Sequence, residues 1–137
     1  MLRSIVLAPL ALAFFLAAPA PTETTTPPDA DVYAVVFYAD WCGNCRILDP
    51  KVMTVWPGFS ERPIEMVKLD FTDAETTACS EALAARRGLE DVYAANAGRT
   101  GFVVLVDASS GEEVGRIGAR DTVAEIRTKL NSALAQS

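Results

Sequence analysis

"VVFYADWCGNCRILDP", residues 35–50, decides how this chain folds. It opens inside a longer run, "VYAVVFYA" from Val32 to Ala39, whose β-branched and aromatic residues give nearly continuous hydrophobicity. Such a run reads as a strand buried on both faces. Beyond the cysteines, Ile47, Leu48, Val52 and Val55 recur at helical spacing. Pro50 lies within that pattern, and because the periodicity continues past it, it should kink the helix rather than end it. Cys42 therefore falls just beyond the C-terminal end of a buried strand and in the first turn of a helix. Ligand and active sites of open α/β sheets collect at that end. The free N–H groups and partial positive charge of a helix N-terminus favour a thiolate over a thiol. Cys42 is on these grounds the candidate nucleophile, and Cys45, one turn further in, faces it and should be covered. Spacing alone leaves three readings of the pair: a redox couple, a metal clip or a structural staple.

Outward from this stretch, "IEMVKLDF" (64–71) reads as a second strand, and Thr72 or Asp73 can cap a helix running to about Arg87, with Gly88 at its end. "GFVVLVD" (101–107) reads as a third strand and "EEVGRIG" (112–118) as a fourth, joined across "ASSG" as an antiparallel hairpin. Asp121 should cap a final helix to about Ala135, with Val123, Ile126 and Leu130 on one face. The order is βαβαββα, an α/β architecture around a central mixed four-stranded sheet with flanking helices. Strands separated by helices argue for parallel pairing with right-handed crossovers. "LEDVYAANAGR" (89–99) reads as a connection, either a partner-specific loop or a surface insertion.

The chain has 137 residues, half of them hydrophobic and 22% charged, with a net charge of −6. That suits one globular domain and carries no basic footprint for nucleic acid or anionic lipid. There is no histidine, so the commonest general base and metal ligand are both missing. Proton transfer must use carboxylates, thiols, lysine, tyrosine or water.

The first twenty residues, "MLRSIVLAPLALAFFLAAPA", carry one positive charge at Arg3, an apolar run from Ile5 to Leu16 and then small residues. This is the layout of a secretory signal peptide over 1–20, with a cleavage site at Ala18-Pro19-Ala20; uncleaved, it would tether the domain to a membrane. Residues 21–30 are a Pro/Thr-rich tether, and 31–137 form the folded domain. Export to the periplasm is the expectation, and disulfides persist there.

The motif and its frame resemble the thioredoxin-fold family. The matching features are the strand "VVFYA", then Trp41-Cys42-Gly43-Asn44-Cys45, then Pro50, the strand "MVKLD" and the late hairpin with its terminal helix. The resemblance covers about Val32 to Leu134 and is greatest to exported thioredoxin-like domains that pass electrons to envelope partners, such as the C-terminal domain of the membrane thiol reductase DsbD. It implies a thiol–disulfide oxidoreductase of the protein-disulfide reductase type, whose only redox group is a Cys42–Cys45 disulfide and which needs no further cofactor. Cys42 thiolate would attack a substrate disulfide and Cys45 would resolve the mixed disulfide. Trp41 would shield the sulfurs and offer an apolar contact. The implied partners are protein disulfides and a membrane-bound thiol electron donor, with the protein a monomer and no nucleic acid involved.

Three departures from the family pattern bear on tuning. Val36 stands where the family commonly has a buried acid that serves proton transfer for the second cysteine, leaving Lys68 without that acid. Asp40 is the nearest carboxylate in sequence, either a relay or a solvated or helix-capping group. Gly101, preceded by Thr100, stands where the family has a cis-proline; this keeps open a soft-metal reading, a copper-type carrier using the two thiolates. Gly43-Asn44 replaces the Gly-Pro of thioredoxin itself, and that dipeptide tunes the redox potential. Cys79, in "TTACSEALAARRG", is expected as a buried core thiol. Three cysteines without histidine make a four-ligand zinc site a poor fit.

Overall fold

The computed structural model describes residues 30–137; the expected signal peptide and all of the expected tether except Ala30 lie outside the described residues. Strand β1 (Val32–Tyr38) lies in a four-stranded sheet with β2 (Ile64–Asp70), β3 (Phe102–Asp107) and β4 (Glu113–Gly118), in the spatial order β2-β1-β3-β4. As its unbroken apolar run implies, β1 is buried along nearly its whole length. Val32, Ala34 and Val36 face one core, where Val103, Leu105 and Ile117 join residues of α1 (Gly43–Val55) and α4 (Val123–Leu134). Tyr33, Val35 and Phe37 face the other, under α2 (Ala74–Arg86) and α3 (Glu90–Asn96). The alternation of side chains along a strand thus feeds two cores from one segment.

Pro50 lies inside α1, which runs on to Val55 and a short 3₁₀ turn at Trp56–Gly58. Lys51 holds the helix against the β4–α4 connection by donating to the carbonyls of Ala119 (2.9 Å) and Asp121 (2.9 Å). Asp73 caps α2 in a reciprocal box with Thr76.

Three expectations are corrected. β1 and β2 pair in parallel, but β3 runs antiparallel to β1. The cause is a helix absent from the expected order. The stretch 89–99 contains α3, so α2 carries the chain back along the sheet and α3 returns it towards the end where β2 finished. α3 is held by packing: Leu89 is buried, and the Tyr93 ring stacks on Phe71, 5.7 Å between centroids. Phe71 stacks on Phe37 at 5.9 Å, and Phe37 on Phe102 at 5.0 Å. Finally, Thr122 rather than Asp121 caps α4, paired with Glu125. The Asp121 carboxylate instead accepts from the Gly118 N–H (2.8 Å) and Lys129 (2.7 Å).

Candidate active site

β1 ends at Tyr38, and a turn closed by the Cys42 N–H on the Ala39 carbonyl (3.1 Å) leads into α1. Cys42 is the N-cap of that helix, in extended backbone conformation, and its sulfur accepts from the Cys45 N–H at 3.1 Å. The two cysteines are joined as a disulfide, with Cα atoms 5.3 Å apart. No acidic residue occupies the first turn of α1, so no helix side chain there offsets the partial positive charge at Cys42. Both residues are buried, Cys42 at 7% exposure and Cys45 at 3%. The Cys45 sulfur lies 3.8 Å from the Phe37 carbonyl oxygen, the acceptor for its thiol once reduced.

Gly101, just before β3, meets the pair. Its φ is +90°, and a Cβ there would stand 2.5 Å from the Asn44 Cβ and 3.2 Å from the Cys42 sulfur. Only glycine fits this approach. There is no cis peptide bond among the described residues. The Gly101 N–H, which a proline would lack, donates to the same Phe37 carbonyl at 2.8 Å. One backbone oxygen thus serves both Gly101 and Cys45. Thr100, just before it, is half-buried, and Gly43 and Asn44 are exposed beside the disulfide.

Trp41 is 61% exposed, with its indole N–H tied to the Thr72 carbonyl at 3.2 Å. Asp40 does not cap α1. Its carboxylate accepts from the Tyr38 hydroxyl (2.7 Å), and its backbone N–H donates to the Thr72 hydroxyl (3.0 Å). That hydrogen bond to Asp40 is the chief reason the Tyr38 phenol titrates above its ordinary range; burial and the charges of Asp40, Asp49 and Asp70 add to it. Lys68 is exposed on β2, with its ammonium 3.4 Å from the centre of the Tyr38 ring.

Val36 lines a cavity of about 200 Å³ with Cys45, Val52, Met66, Lys68 and Asp49. Asp49 was not singled out from the sequence, although its position four residues after Cys45 places the two on one helix face. Phe37, which acts through its backbone oxygen, leaves no side-chain signal in the sequence.

Cys79 is corrected from a core thiol to an exposed one. The inward position of α2 belongs to its neighbour Ser80, whose hydroxyl bridges the Asp70 N–H (2.7 Å) and C=O (2.9 Å) on the edge strand β2. A hydroxyl with both backbone partners is readily buried, and hydrophobicity ranking does not foresee it.

Residues 25–85 match the sequence profile of the thioredoxin family. Among solved structures, a thiol:disulfide interchange protein of the thioredoxin family from Chlorobium tepidum superposes with a TM-score of 0.53 and 20% identity, over 77% of this chain and 81% of that one. Thioredoxin 2 from Pseudomonas aeruginosa, in its reduced form, gives 0.51 and 17% over 81% and 86%. This is a thioredoxin-fold protein. Human protein disulfide-isomerase A4 is 46% identical over 50 residues, which span 35% of this chain and 8% of that protein. The segment matching the thioredoxin profile includes the CxxC pair, Cys42 and Cys45. Protein disulfides are the general substrate class of that family.

Proposed function

We propose that the protein is a disulfide reductase or electron carrier of the bacterial envelope, exported by its N-terminal segment and recharged by a membrane-bound thiol donor, as the resemblance to the DsbD C-terminal domain suggests. The observation that carries the reading is the placement of the disulfide. Cys42 caps α1, where its sulfur already accepts a backbone N–H, and a thiolate there gains from that bond and from the helix dipole.

In the reductive direction, Cys42 thiolate attacks a substrate sulfur and expels the other as thiolate, forming a mixed disulfide. Cys45 then attacks the Cys42 sulfur, releases the second substrate thiolate and closes the Cys42–Cys45 disulfide. Two electrons pass from the cysteine pair to the substrate. Exposed Trp41 supplies an apolar contact to the partner, and Gly101, packed against Asn44 and the Cys42 sulfur, with Thr100 just before it, borders the face where a partner backbone docks. Gly43-Asn44 set the stability of the Cys42 thiolate, and Pro50 shapes the helix behind it. The protein acts as a monomer.

The test is covalent trapping from an envelope extract. Cys45→Ser should accumulate mixed disulfides through Cys42, and Cys42→Ala should accumulate none. If neither variant traps a partner and the reduced protein reduces no protein disulfide, the reading fails.

A further inference from the structure

Resolution of the mixed disulfide requires Cys45 to lose a proton while nearly buried, and an uncharged valine occupies the strand position beside it. We propose that Asp49 is the proton acceptor for Cys45, acting through water in the cavity that the two residues line together. The inference rests on the exchange chemistry proposed above and supplies its proton path.

Three observations carry it. Asp49 follows Cys45 by one helical turn on α1, and residues four apart project on the same side of a helix. Both line a cavity of about 200 Å³, room for several waters. Asp49 is exposed whereas Cys45 is buried, so the carboxylate can exchange its proton with solvent while the sulfur cannot.

The other titratable groups around the cavity are differently engaged. From β1, the Tyr38 hydroxyl is donated to Asp40, which occupies the alternative carboxylate. From β2, Lys68 lies over the Tyr38 ring and is a cation, not a base. Asp70 accepts from the Thr72 N–H at 2.9 Å. Asp40, Asp49 and Asp70 all bear electrostatically on Tyr38, yet of the three carboxylates only Asp49 lines the cavity with the sulfur.

The Cys45 thiol gives its proton through water to the Asp49 carboxylate, and its sulfur pair forms the bond to Cys42. The bond from Cys42 to the substrate sulfur breaks, the substrate leaves as thiolate, and Asp49 passes the proton to solvent.

The test uses the reduced full-length protein in a Cys79→Ser background, mixed with the chromogenic disulfide 5,5′-dithiobis(2-nitrobenzoate). Attack by Cys42 releases one coloured thiolate in a reagent-dependent phase. Closure by Cys45 releases a second in a concentration-independent phase, and the low-pKa leaving group needs no proton of its own. General-base catalysis contributes about 10²–10⁴-fold, so Asp49→Asn should slow the second phase by at least about tenfold near pH 6–7. That deficit should close as pH rises past about 8.5, where a thiol ionises unaided. Asp49→Glu should restore most of the rate, and Asp40→Asn should leave the profile in place. An Asp49→Asn profile superimposable on the parent's, or slowed equally at every pH, overturns the proposal. If the parent itself releases a single thiolate at all pH values, Cys45 does not resolve, and the exchange reading falls together with this one.

Discussion

Replacing Gly101 by alanine would set a methyl group 2.5 Å from the Asn44 Cβ in a backbone conformation with φ of +90°. Left-handed strain and overpacking should together cost about 2–4 kcal/mol. Gly43, between the two cysteines in sequence, has open space at its Cβ position. Gly43→Ala should therefore be neutral or stabilise by about 0.5 kcal/mol. Urea unfolding of the two oxidised variants separates them, and equal midpoints would contradict the close approach. The two cysteines were legible as a site because strand, helix and spacing all point at them. The shared Phe37 carbonyl was not, because a backbone oxygen has no residue type. Asp49 was legible in principle, since a carboxylate one turn after a cysteine needs only the helical period to place it.

Among the elements, β1 declares itself through the apolar run from Val32 to Ala39, and α1 through a periodicity that survives Pro50. α3 spans only seven residues and has no side-chain N-cap, so it depends on Tyr93 and the aromatic stack, and local sequence cannot announce it. That helix also reverses β3, and so decides which end of the sheet Gly101 reaches. The better-capped helices carry a measurable dependence. Asp73→Ala removes the acceptor for the Thr76 N–H at 2.8 Å and should cost about 1 kcal/mol, read from the denaturant midpoint. The β3–β4 turn carries a pH dependence instead. Asp107 accepts from the hydroxyls of Ser109 (2.6 Å) and Ser110 (2.9 Å) and from both their N–H groups. Led by the Ser109 hydroxyl, these bonds lower its pKa from 3.8 to about 2. Protonation is thus harder in the folded state, so the contribution is complete above about pH 4 and is lost as pH falls through about 2. Asp107→Asn should lose less stability between pH 5 and pH 2.5 than the parent does; identical slopes would exclude this turn as a source of acid lability.

For the whole molecule, the Cys42–Cys45 disulfide closes a very short loop, so its restriction of the unfolded chain is small, about 2 kcal/mol. Most of the stability must come from the two cores on either face of the sheet. Reduction should accordingly leave the fold intact and lower its stability by no more than about that amount, measured by urea unfolding with and without a reductant. A reduced protein that unfolds outright would show that the cores are insufficient without the bond. Such tolerance is what the proposed electron-carrier role requires, since a carrier must stand in both states. The exposure of Cys79 on α2 has an arithmetical consequence. The chain has three cysteines, so an accessible-thiol count should return one equivalent from the native oxidised protein and three once the protein is reduced and unfolded. The lone surface sulfur thereby calibrates each titration of the other two, an internal standard supplied by the protein itself.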